Sequence, residues 1–128
     1  MSSLLESFCD GSVACVAGEA AAADMPWNAH PAFSGVALKH LVPGRDTGGR
    51  FSLHLVRVEG GCALSEHAHA ENWELHEVIE GEGVCHFAGR SVDYAPGVCG
   101  VLPAGVAHEV QAGPRGLCLL AVFTPALL

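Results

Sequence analysis

Residues 67–83 read HAHAENWELHEVIEGEG and hold three histidines (His67, His69, His76) and five glutamates (Glu71, Glu74, Glu77, Glu80, Glu82). Helix and strand compete for this run. Ala, Glu and Leu favour a helix, but no apolar stripe of period 3.6 develops, and Gly81 and Gly83 interrupt the run soon after. In a strand, alternate side chains share a face. His67 and His69 then point the same way, and after a short bend Glu74, His76 and Val78 do too. Two imidazoles and a carboxylate converging on one point suit a divalent transition metal. The competing reading, an acidic solvated segment, fits the other glutamates and the nearby Glu66 better, because Glu is rarely buried without a partner.

The remaining sequence bounds what such a site can belong to. The 128 residues suit one domain, and 50% hydrophobic with 16% charged residues is a globular composition. Fourteen acidic against six basic residues give a formal charge of −8, with no Lys/Arg cluster. That argues against nucleic acid and against an anionic membrane as partners. No apolar run reaches the roughly 18–20 residues of a spanning helix. The N-terminus lacks a basic start and carries Glu6 and Asp10, which makes a poor signal peptide, so a cytoplasmic location is expected. The six cysteines form no CxxC and are expected as free thiols. Cys85, Cys99 and Cys118 lie in apolar runs and should be buried. A redox or metal-linked role stays open for Cys62 and Cys99.

Sixteen glycines and seven prolines favour short strands and turns over long helices. Residues 1–34 read as an appendage or arm that could pack on a partner subunit. In it, Ser3–Glu6 matches a capping box opening a short helix. DMPWNAHPAF (24–33) is an extended arm with Trp27 as a packing anchor. One domain follows over 35–128. Strand-like runs fall at 36–42, 51–58, 73–80, 84–87, 91–94, 98–102, 107–112 and 117–123, with Gly or Pro between nearly all of them. This is the pattern of an all-β sandwich or barrel.

HxH alone is a weak signal, and its frame raises it. Gly61 lies six residues before His67, and Gly81 seven after Glu74. Together with Gly97, Pro103, Gly105 and His108, this spacing resembles the two motifs of the cupin superfamily, G-x5-HxH-x3–4-E-x6-G and G-x5-P-x-G-x2-H-x3-N. The resemblance spans about residues 50–123 and is that of a small single-domain cupin. It implies an all-β fold, a small antiparallel barrel or double-stranded β-helix of jelly-roll type. It implies His67, His69, Glu74 and His108 as metal ligands, and glycines and a proline that shape turns. It also implies a homodimer. Ala112 stands where the second motif has Asn, and Val98 where an acidic residue is common; neither departure removes a ligand.

The cofactor expected is one divalent transition-metal ion per chain, with Fe(II) favoured and Mn, Ni, Zn, Co and Cu open. Four protein ligands on an octahedral ion leave two positions for a small oxygenated molecule, which permits an oxygenase, isomerase or lyase. The alternative is a non-catalytic sensor or binding barrel, since a fold does not fix a function. His76 is the further catalytic candidate, as proton shuttle, hydrogen-bond partner or fifth ligand. His54 is read as lining the barrel, His86 as lining or solvated, and His30 and His40 as surface or interface residues. Arg57 and Arg90 could pair with a ligand carboxylate.

Overall fold

The computed structural model describes residues 3–128. A short helix α1 (Leu4–Cys9) is followed by a hairpin, β1 (Ser12–Cys15) and β2 (Gly18–Ala21). Eight more strands complete the chain: β3 (Trp27–Ala29), β4 (Val36–Val42), β5 (Ser52–Val58), β6 (Ala63–His67), β7 (Trp73–Phe87), β8 (Arg90–Tyr94), β9 (Cys99–Leu102) and β10 (His108–Thr124). The last eight strands form one antiparallel sheet in the order β3-β4-β5-β10-β7-β8, with β6 on β10 and β9 on β7. The helix begins as its sequence predicts: Ser3 Oγ accepts from the amide of Glu6 at 3.1 Å. Among the described residues, no helix is long and apolar enough to cross a membrane.

Strands β7 and β10 build the barrel. The first half of β7 pairs with β9 and with the end of β10, and its second half pairs with β8 and the start of β10. EGEG (80–83) is therefore a corner inside one continuous strand, not the turn its glycines suggest, and β10 likewise joins two runs that read as separate strands. The register jumps from Ala112↔Gly83 to Leu117↔Gly81, so the extra residues bulge out and bend the pair. Gly81 sits at φ 81°, and a Cβ there would collide with the carbonyl oxygen of Gly116. Glycine permits both the backbone and the close approach.

Two apolar clusters lie on opposite faces of this sheet. The interior cluster includes Val56, Val78, Tyr94, Leu102, Val110, Leu119 and Phe123. The outer one is built from Leu41, Leu55, Ile79, Cys118 and Leu120 and is roofed by Leu5, Phe8, Val13, Met25 and Trp27. The N-terminal segment thus covers the outer face of β4, β5, β7 and β10. Trp27 pairs with Lys39 in the β3–β4 register and carries the Arg57 guanidinium 4.4 Å from its ring centre. Lys39, buried, donates to the carbonyl of Ala22 at 2.8 Å, which satisfies its charge-bearing group. Along β5 it is Ser52, His54, Val56 and Val58 that are buried on the inner side, while Leu55 belongs to the outer cluster. All six thiols are free; Cys85 and Cys118 are buried, but Cys99 is exposed, because the side of β9 that bears it is uncovered. Beside it Trp73, Leu75 and Val101 are exposed as well.

Candidate metal centre

His67 ends β6, His108 begins β10, and the two are register partners. Their rings lie 4.4 Å apart, centre to centre. Glu74 comes from β7, next to the barrel axis and buried. His69 belongs to no strand; it lies in the irregular link 68–72 between β6 and β7. Its position is fixed from across the site: the amide of Gly105, a glycine of the second motif at φ 80°, donates to the His69 carbonyl at 2.8 Å. Its ring packs edge-on against Phe123 at 5.0 Å. One ligand atom from each of His67, His69, Glu74 and His108 lies within 4.8 Å of the other three. The two motifs, far apart in sequence, thus meet at one point.

The same device orients two of the imidazoles. His67 Nδ1 lies 2.7 Å from the Ser65 carbonyl, and His108 Nδ1 lies 3.1 Å from that of Val106. A carbonyl only accepts, so each Nδ1 carries a proton and each Nε2 faces the cluster, where its lone pair serves a metal once that nitrogen is unprotonated. The Glu74 Oε1 atom is 3.5 Å from His69 Nε2 and 3.2 Å from His108 Nε2. That second contact is short but poorly aligned: Glu74 Oε1 and His108 Nε2 are both buried and neither has a hydrogen-bond partner. Buried polar atoms without partners are costly. A cation between them satisfies both, and three imidazole nitrogens with one carboxylate oxygen are a donor set that suits such an ion.

The protonation states follow from burial and charge. Burial pulls His67 and His69 below the ordinary histidine value, which favours their neutral, ligating forms. Burial opposes ionisation of Glu74, but the His108 imidazole beside Oε1 and the His76 hydrogen bond to Oε2 outweigh it and hold its carboxyl well below the usual range. Burial also opposes charge on His108, yet its contact with Glu74 and the Val106 carbonyl bring its pKa above the ordinary value. His108 therefore holds a proton more readily than an ordinary histidine, and a cation at the cluster would compete with that proton.

His76 is 1% exposed and stands behind Glu74, with Nε2 2.7 Å from Oε2 and Nδ1 2.9 Å from the hydroxyl of Tyr94. The other histidines fall outside the cluster. His54 is fully buried in the barrel wall and bonds Ser52 Oγ and His40 Nδ1, each at 2.8 Å. His40, expected at the surface, is therefore drawn inward as its partner. His86 bonds Ser91 Oγ at 2.8 Å. His30 stacks on Phe33, which in turn packs against His67 at 5.5 Å. Arg57 belongs to the outer cluster through Trp27 rather than to the site, and Arg90 is exposed at the start of β8. Ala112 is buried in the interior cluster, and Val98 packs against the same cluster. The glutamates 66, 71, 77 and 82 are exposed and Glu80 is half-buried. Tyr94, Phe33 and Phe123 carry no sequence signal for their place around the site.

A family model described as the cupin domain matches residues 54–123, more than half of the chain, and the chain belongs to that family. No curated protein matches it in sequence. The fold is shared with a predicted oxalate decarboxylase from Thermotoga maritima (21% identity, TM-score 0.73, covering 80% of this chain and 95% of that one). It is also shared with an RmlC-like cupin from Shewanella frigidimarina (20%, 0.71, covering 82% and 87%). A third similar structure is the polyketide cyclase RemF from Streptomyces resistomycificus (24%, 0.69, covering 80% and 75%).

Proposed function

We propose that the chain is a divalent-metal-dependent enzyme whose ion is held by His67, His69, Glu74 and His108 and which acts on a small oxygenated molecule chelated there. The observation that carries this reading is the buried pair Glu74 Oε1 and His108 Nε2, both without partners and flanked by two more imidazoles. When bound, the ion would supply Lewis acidity or O2 chemistry. The chain's own part is to orient the donors through Ser65, Val106 and Gly105 and to wall the site with Phe33 and Phe123. Structures of this fold include proteins described as a decarboxylase and a cyclase, which supports an oxygenase, isomerase or lyase type without choosing among them.

Fe(II) is the favoured ion, by the mixed imidazole and carboxylate donors. The test is anaerobic reconstitution with Fe(II), Mn(II), Co(II), Ni(II), Cu(II) and Zn(II), followed by metal analysis. O2 uptake and product formation are then measured with small acids, diols and diketones. One ion per chain and turnover of at least one compound are expected. Failure to hold any of these metals in stoichiometric amount removes the site. Metal without turnover across the panel moves the reading to a small-molecule sensor.

We infer also that two copies pair through β9 and the start of β7, the part of its outer face that the N-terminal segment leaves exposed. Leu75 and Val101 are register partners there, and Trp73 is 50% exposed beside them. Exposed apolar patches of this kind mark contacts. Sedimentation should give a dimer for the native chain and a monomer for Leu75→Glu. A native monomer would end this assignment.

A further inference from the structure

We propose that His76 and Tyr94 are positioning residues that restrict Glu74 to one ligating oxygen, and so keep two neighbouring metal positions open for a ligand that chelates through two oxygens. This rests on the metal reading above and concerns residues that the four-ligand set leaves out.

The argument begins with the two carboxylate oxygens. Oε1 faces His69 and His108, whereas Oε2 is turned to His76 Nε2 at 2.7 Å. A carboxylate oxygen only accepts, so Nε2 carries the proton. In the neutral ring His76 Nδ1 is then an acceptor, and the Tyr94 hydroxyl at 2.9 Å donates to it. With a neutral His76 the hydrogen bonds run one way: Tyr94 O–H to Nδ1, Nε2–H to Oε2. Both residues are 1% exposed, so the pair is shut off from bulk solvent. The strands are shaped to admit the chain. Gly100 is the register partner of His76 on β9, and a Cβ there would collide with the Tyr94 hydroxyl.

A carboxylate that binds an ion through both oxygens must turn Oε2 toward it and give up the His76 bond. While that bond holds, the chain supplies four donor atoms, and an octahedral ion keeps two positions free. Without it, Oε2 can become a fifth donor and one position closes. A ligand with two oxygens in chelating distance, such as an α-hydroxy acid, an α-keto acid or oxalate, needs both. A ligand that binds through one atom does not.

The experiment uses Co(II), whose visible spectrum reports coordination number, with oxalate and azide as two-atom and one-atom probes. Native protein, His76→Leu, His76→Gln and Tyr94→Phe are compared. Gln keeps an amide donor at the Nε2 position and should behave as native. His76→Leu should hold Co(II) but with a changed spectrum, an oxalate affinity at least about 10-fold lower and an azide affinity nearly unchanged, as loss of an outer partner predicts. Tyr94→Phe, the milder change, should move in the same direction. Equal loss of oxalate and azide binding, or no loss of either, would overturn the proposal. A second measurement needs no metal: imidazole 15N shifts of the metal-free protein should show His76 as the Nε2–H tautomer with a hydrogen-bonded Nδ1. The opposite tautomer overturns the proposal even if metal binds. If the tautomer is as expected but native protein takes up no Co(II), it is the metal reading that has failed, and the role of His76 falls with it.

Discussion

His108→Ala takes up divalent metal at least about 100-fold more weakly than the native chain, while its metal-free form keeps the native fold. The loss exceeds the 10- to 100-fold typical of removing a partner outside the ligand set, because a donor atom itself is gone. The fold survives because His108 is not part of the interior apolar cluster that holds the strands together. The sign of the pH dependence follows from the raised pKa of His108, which its contact with Glu74 sustains. An ion competes with that proton, so native affinity falls as the pH drops, and uptake below the His108 pKa releases protons into weakly buffered solution. In His108→Ala this component of the release is absent. Competition titrations against a chromophoric chelator at several pH values measure both effects. Unchanged affinity in the variant would show that the second motif contributes no ligand.

Much of this site is legible in the amino-acid sequence, and the reason is specific. His67, His69 and Glu74 are close in sequence, and the glycines that frame them hold positive φ at corners where no other residue fits well. Spacing and glycine together therefore carry geometry. What stays hidden depends on contacts between distant segments. His69 looks like a strand neighbour of His67, but it lies in an irregular link and owes its place to the amide of Gly105. The alternation of β5 distinguishes two faces and does not say that both are covered. Because the N-terminal segment roofs the outer face, Leu55 is buried there while Ser52 and His54 take the inner side. In β4 a register shift between His40 and Val42 breaks the alternation, so the neighbours Leu41 and Val42 both pack with the outer cluster. Cys99 is exposed for the converse reason: its strand looks apolar, but none of the described residues covers that side of it.

The pair of buried His54 and half-buried His40 leads to the second large effect, acid lability of the metal-free fold. His54 has no exposure to solvent, bonds Ser52 on one side and His40 on the other, and packs edge-on against Phe123 at 5.6 Å. Only one proton fits between the two Nδ1 atoms. Burial, then repulsion from His40, pushes the His54 pKa down to about 4, although Glu74 opposes this. The unfolded chain binds a proton at this residue near pH 6.5 and the folded chain does not until about pH 4. Stability is therefore full above pH 6.5 and is lost as the pH falls toward 4, by about 2 to 3 kcal/mol from this group. His67, His69, His30 and His40 are shifted in the same direction and steepen the loss, while His108 is shifted the other way and offsets part of it. Replacing His54 by Leu removes the titrating group but leaves Ser52 Oγ and His40 Nδ1 short of a partner, so the variant starts less stable at pH 7. Its urea midpoint should nevertheless change much less than the native one between pH 6.5 and 4, with chelator present in both series. Parallel curves would mean that His54 is charged in the fold, and that the pair with His40 is held by a different arrangement of protons.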